Sequence, residues 1–186
     1  MADKQRYPRA AALKVAKELC DALAPACERI IVAGSLRRRK ADVGDVEILY
    51  IPKVGMIRDG LFEQEKSLAD LAIADLERRC VLSRRLNANG SEMFGDKNKL
   101  MRHTLSGIPV DLFATTAECW ANYLVCRTGG AETNKAICMA AMRQGWKWNP
   151  YGPGFTDREG AVVRVASERE VFELAGLAFQ EPEDRR

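Results

Sequence analysis

The chain has 186 residues, 47% of them hydrophobic, with 29 Lys and Arg against 26 Asp and Glu, a single histidine and a net charge of +3. That is enough apolar material for one domain or two small ones. No apolar run approaches the ~20 residues of a membrane span, and "MADKQRYPRA" carries no apolar signal core, so neither a membrane nor secretion is expected. Six cysteines without a C-x-x-C pair, beside the lone His103, exclude zinc-ligand spacing and point to a reducing, cytoplasmic compartment. A charge of this size neither demands nor excludes nucleic acid, so the clustering of charge is more informative than its sum.

Leu13, Ala16, Leu19, Cys20 and Leu23 recur at helical spacing and predict a helix from about Pro8 to Leu23, closed by Pro25. "ERIIVAG" and "GDVEILYI" read as strands, joined through a Gly-Ser turn and a basic loop as a wide hairpin. A helix from about Glu63 to Cys80 follows, with Leu68, Leu71, Ala72 and Leu76 on one face. Ser83 to Asn98, rich in Asn, Gly and charge, reads as strand ends and loop with no chemistry of their own. "KLMRHTL" and "IPVDLFA" are two more strands, Pro109 being admissible as the first residue of an edge strand.

Thr115 and Glu118 make a T-x-x-E capping box for a helix across "AECWANYLVCR". "AETNKAICMAAMRQ" is another helix, ended by Gly145, and Ser167 with Glu170 caps a last one, "EREVFELAGL". Between them "WKWNPYGPGFTDREGAVVRV" reads as short strands around a Pro/Gly turn. The order predicts an α+β protein in two parts: residues 1–114, with mixed helices and strands, and residues 115–186, mostly helical with a short sheet.

The densest chemistry lies in "AGSLRRRKADVGDVEIL", Ala33 to Leu49. Strand alternation sends Asp45 and Glu47 to one face, about 7 Å apart, where like charges repel unless a cation lies between them. Mg²⁺ suits that place because it takes oxygen ligands and keeps waters and substrate phosphates. Asp111 is a third acid in an otherwise apolar strand, an expensive position for a carboxylate lacking a partner charge or a metal. If the two strands are neighbours, three carboxylates converge, the minimum for a two-metal phosphoryl transfer. Each acid alone is more often a solvent-facing strand residue, and a basic run alone a solvated surface; their combination points to a polyanion with divalent metal. Gly34 lets backbone approach an anion, Ser35 offers a hydroxyl and an N–H, and Arg37 or Arg38 can fork onto phosphate oxygens. Gly44 again removes a side chain, immediately before Asp45.

G-S-x-R-R, followed after five residues by G-D-x-E, resembles the nucleotidyltransferase palm of the family X DNA polymerases, the group containing polymerase beta. "GIPVDLF" resembles that family's third-carboxylate strand, Arg127 to Tyr151 its thumb entry without a gap, and "EPEDRR" its closing residues. The resemblance runs over nearly the whole chain from about Ile30. It implies a palm, a mixed sheet flanked by helices, followed by a smaller helical thumb. Asp45, Glu47 and Asp111 match the catalytic carboxylates that bind two Mg²⁺ ions, with Mn²⁺ as a substitute. Gly34, Ser35, Arg38 and Gly44 match the triphosphate-holding groups, Thr128, Gly129 and Asn134 the lining of the nucleotide sugar and base, and Asn149 and Tyr151 positions near the template.

The implied activity is that of a monomeric DNA-directed DNA polymerase, adding a nucleotide from a dNTP to a primer 3′-hydroxyl on primer–template or gapped DNA, in short-gap repair. The sequence departs from the family at four points. Glu47 stands where aspartate is usual, Cys126 and Arg127 replace an aromatic pair beside the sugar, and Cys138 replaces an arginine. The lyase domain and fingers expected ahead of the palm are not in the sequence, which implies a palm-plus-thumb form like the small viral members. Two other readings keep part of this: a template-independent nucleotidyltransferase with another acceptor, and a non-catalytic nucleic-acid-binding module.

Overall fold

The computed structural model describes residues 5–59 and 62–186; the first four residues of the N-terminal stretch read for a signal core lie outside them. Contacts divide the chain into two units, one of residues up to Val32 with Ala41–Ala114, the other of Ala33–Lys40 with Thr115–Arg186. In chain order the elements are β1 (Tyr7–Pro8), α1 (Arg9–Leu23), β2 (Cys27–Val32), α2 (Gly34–Arg37), β3 (Asp42–Val43), β4 (Val46–Pro52), β5 (Val54–Asp59) and β6 (Phe62–Ser67). Then come α3 (Leu68–Arg78), β7 (Leu82–Arg84), β8 (Asn98–His103) and β9 (Pro109–Ala114). After Ala114 follow α4 (Trp120–Thr128), α5 (Ala131–Arg143), β10 (Lys147–Trp148), β11 (Gly154–Thr156), β12 (Val162–Arg164) and α6 (Glu168–Leu174). The fold is α+β, and no helix among the described residues is long and apolar enough to cross a membrane.

The first unit is built on a five-stranded mixed sheet of order β2-β4-β9-β8-β7, in which β4 and β9 run parallel and the other neighbours antiparallel. Val46, Ile48, Tyr50, Val110 and Leu112 are fully buried along the two central strands. The predicted helix from Glu63 begins only at Leu68, because residues 63–67 form a hairpin strand, with Met56 opposite Glu65 and Ile57 opposite Gln64. Cross-strand pairing overrides the helical preference of "EQEK". Ser67 opens the helix instead, its hydroxyl accepting the Asp70 N–H at 3.1 Å. Pro109 does begin a strand, but β9 is interior, not an edge. Its missing N–H is tolerated because the ladder to β4 starts one residue later, at Val46 opposite Val110.

The second unit packs α4, α5 and α6 around Val125, Ile137, Ala141, Val171 and Phe172, beside a small antiparallel sheet of order β10-β11-β12. Ser167 caps α6 as its sequence suggests: the hydroxyl accepts the Glu170 N–H at 3.2 Å, and Glu170 accepts the Ala166 N–H at 2.7 Å. The box at Thr115 and Glu118 is not formed. A 3-10 turn (Ala117–Cys119) precedes α4 with no side-chain cap, and the Glu118 carboxylate pairs with Arg164.

Candidate active site

Glu47 and Asp111 are register partners across the parallel β4–β9 ladder, so their side chains leave the same face of the sheet. Two side-chain contacts identify that face. Lys99, opposite Leu112, brings its Nζ to 2.8 Å from Asp70 of α3, and His103 brings its Nε2 to 3.4 Å from Glu18 of α1. Odd-numbered residues of β8 therefore point to the helices, while Leu100, the partner of Asp111, points away from them. The acid pair thus occupies the face turned from α1 and α3, and both acids are half-buried. Asp45, also half-buried, precedes the ladder: β4 starts at Val46, so the pleat does not set its direction as alternation predicted.

Arg85 joins the same row. Its N–H donates to the Leu100 carbonyl at 3.0 Å, continuing the β7–β8 ladder, and its guanidinium donates to the Asp111 carboxylate. The two side chains are 21% and 15% exposed. One row therefore carries Glu47, Asp111 and Leu100 on three strands and Arg85 immediately after β7. This corrects the reading of Ser83–Asn98 as devoid of chemistry. The available signal was the Arg84-Arg85 pair at a strand end, since alternation sends the two to opposite faces: Arg84 reaches Glu77 of α3 at 2.8 Å, Arg85 reaches Asp111.

Among the described residues no group of three or more His, Cys, Asp and Glu side chains is arranged to hold a metal ion, so the predicted convergence of Asp45, Glu47 and Asp111 is not present as a finished cage. A carboxylate beside a guanidinium is held by that opposite charge rather than drawn toward like charges. The donors suit a hard divalent cation in kind, being carboxylate oxygens with two of the three in register on one face.

β2 and β4 pair antiparallel, as the expected wide hairpin, but the basic segment between them is a helical turn rather than a loop: α2 spans Gly34–Arg37, and Gly34 has φ +59°, in the left-handed region that favours glycine. Arg37 is a forked partner of Glu168, with N–H···O distances of 2.8 and 2.6 Å, and it also donates to the Thr128 hydroxyl at 2.5 Å. Fully buried Arg185 donates to the same Glu168 at 2.8 Å. Burial alone would push the Glu168 carboxyl up, but the hydrogen bonds and charges of Arg37 and Arg185 hold it below the usual glutamate value. The Arg37 fork is therefore committed to the protein. Arg38 in turn donates to the Thr128 carbonyl.

The other positions matched to the nucleotide fall unevenly. Ser35 Oγ is buried without a hydrogen-bond partner among the described residues, a hydroxyl that an anion oxygen would satisfy. Thr128 is fully buried with its hydroxyl and carbonyl taken by Arg37 and Arg38, so it anchors the turn instead of lining a ligand. At Gly129 an added Cβ would lie 2.2 Å from Asn134 Oδ1, and Asn134 donates to the Cys126 carbonyl at 2.9 Å. Gly34, Ser35, Arg38, Thr128, Gly129 and Asn134 thus all belong to one unit, whereas buried Gly44 lies in the other, beside Asp45.

Asn149 and Tyr151 are exposed on a loop held by Asn122, which sequence reasoning missed. The fully buried Asn122 amide donates to the carbonyls of Asn149, Gly152 and Gly154 at 2.7, 3.2 and 3.0 Å and accepts the Trp148 indole N–H at 2.8 Å. A polar residue within a helix pattern gives no sequence sign of such a role. Arg127 sits 5.7 and 5.2 Å from the ring centres of Tyr123 and Tyr151.

Residues 123–186 match the family model of the DNA polymerase beta thumb. No curated protein matches the chain in sequence. Among solved structures the chain is similar to the crystal structure of Leishmania infantum polymerase beta in a ternary P/T complex, at 17% identity and a TM-score of 0.72, over 98% of this chain and 77% of that one. The polypeptide has a polymerase beta-like fold, and the part of its second unit from residue 123 onward is similar in sequence to the polymerase beta thumb.

Proposed function

We propose that this family X polymerase-like chain is a DNA polymerase that transfers a nucleotide from a dNTP to a primer 3′-hydroxyl and fills short gaps in DNA. The observation that carries the proposal is the Glu47–Asp111 register pair, two acids side by side on the sheet face turned from the helices. The hydroxyl oxygen attacks the α-phosphorus, a bond to that phosphorus forms as its bond to the β-phosphate oxygen breaks, pyrophosphate leaves and the hydroxyl proton is released. Asp45, Glu47 and Asp111 would hold two Mg²⁺ ions, or Mn²⁺, which when bound neutralise charge on the phosphates and acidify the attacking hydroxyl. Ser35 and Arg38 donate to the triphosphate tail, where negative charge grows as pyrophosphate departs. Arg37 acts only by fixing the turn that presents them, through Glu168.

The test is extension of end-labelled gapped, recessed and single-stranded primers with each dNTP or NTP in Mg²⁺ and in Mn²⁺. Extension with the complementary dNTP alone is the expected result. Indiscriminate tailing would make the chain a template-independent transferase, and binding without extension a nucleic-acid-binding module.

Arg38→Ala is expected to weaken dNTP binding about ten- to a hundredfold, the worth of a charge-assisted hydrogen bond of roughly 1.5–3 kcal/mol. Fluorescence titration with dNTP and anisotropy with labelled DNA separate the alternatives. Unchanged dNTP affinity with lowered DNA affinity would assign the basic turn to DNA.

A further inference from the structure

We propose that Arg85 is a positioning residue that competes with divalent cations for Asp111 and so sets the metal affinity of the carboxylate row. This rests on the metal-binding role proposed above. Arg85 lies in none of the sequence motifs that carry the family resemblance. It reaches Asp111 because the β7–β8 ladder runs on by one more bond, from the Arg85 N–H to the Leu100 carbonyl, and Leu100 is the register partner of Asp111. The guanidinium therefore crosses one strand on the sheet face shared by Asp111 and Glu47, and it donates to the Asp111 carboxylate.

A divalent cation taking Asp111 as a ligand meets this guanidinium in two ways. The two positive charges repel at close range, in a place where the side chains are only 21% and 15% exposed and water screens them poorly. Arg85 also has to give up a charge-assisted hydrogen bond when the ion takes the oxygen it holds. Metal binding is thereby made conditional: a strong competitor for Arg85, such as the phosphates of an incoming nucleotide, favours release of Asp111 to the ion. A cation alone is held weakly.

Arg84 supplies an internal control. It has the same charge and adjoins Arg85 in the chain, but alternation turns it to the other face, where it pairs with Glu77. The experiment is Mn²⁺ titration of the full chain followed by electron paramagnetic resonance of the free ion, for wild type, Arg85→Ala, Arg84→Ala and Asp111→Asn, each checked for folding by circular dichroism. Arg85→Ala is expected to bind Mn²⁺ about tenfold or more tightly than wild type, Arg84→Ala less than about threefold, and Asp111→Asn to lose the site. Arg85→Lys, which keeps the charge and loses the fork, should fall between wild type and Arg85→Ala.

Arg85→Ala binding unchanged, weaker, or tightened only as much as Arg84→Ala overturns the competition and leaves Arg85 a structural partner. If the first two variants behave so while Asp111→Asn still abolishes binding, the metal role of Asp111 stands without the Arg85 proposal. Mn²⁺ binding that is indifferent to Asp111→Asn, or absent from wild type and Arg85→Ala alike, overturns both.

Discussion

Asp111→Asn is expected to lower single-turnover nucleotide addition at least a thousandfold, about 4 kcal/mol of transition-state stabilisation, while the protein stays folded. Asparagine has the shape of aspartate, so the interior strand β9 and its ladders to β4 and β8 are not disturbed. What is lost is a negative oxygen, replaced by a neutral amide that is a poor ligand for a hard cation. The cost to stability is roughly 1–3 kcal/mol, because the charge of a mostly buried pair with Arg85 is lost while the asparagine oxygen can still accept from the guanidinium. Rapid-quench incorporation at saturating dNTP, beside a thermal melt, measures both quantities. A variant within tenfold of wild type would remove Asp111 from the chemistry and with it the proposed mechanism.

Glu168→Ala should have the largest effect on stability, about 3 kcal/mol or more, because it strands the buried Arg185 guanidinium and frees the Arg37 fork. The charge of Glu168 is held by both arginines, and its carboxyl lies below the usual value. A carboxyl depressed by folding contributes stability that is fully present above its unfolded value of about 4.3 and is lost as pH falls through the lower folded value. Glu168→Gln keeps the shape without the charge. Urea unfolding of wild type and Glu168→Gln should therefore differ most near neutral pH and converge in the acid range. A gap that stays constant down to strongly acid pH would mean that packing, not ionisation, is what Glu168 supplies. Loss of this pair should also weaken dNTP binding, since Arg37 and Arg38 both fasten the turn to Thr128.

Local pattern was enough for much of this molecule. The helical spacing of α1, the Ser167 cap of α6 and the strand character around Asp111 are all carried by neighbours within a turn or two, and each element stands close to its expected place. The three acids and the two arginines of the turn were likewise visible, as charges that an ordinary strand and loop do not require. Pairing over distance was not visible. "EQEKS" has helical propensity, yet β6 is a strand because β5 lies across from it. Arg37 and Arg38 are chemically identical in sequence, and only the tertiary structure separates them: Arg37 forks onto Glu168, 131 residues further along, while Arg38 donates to the Thr128 carbonyl.

Arg85 shows the same division most sharply. Composition marks it as one more cation in a polar loop, while strand register, an extra ladder bond and the alternation of faces bring it to Asp111. Periodicity reports which face of its own element a residue occupies, because that depends on backbone geometry alone. Which residues share that face from elsewhere in the chain depends on sheet order and register, which are settled by burial and hydrogen bonding summed over the whole unit. Residue types and their spacing therefore named the chemistry open to this protein; the tertiary structure assigned each charge its partner.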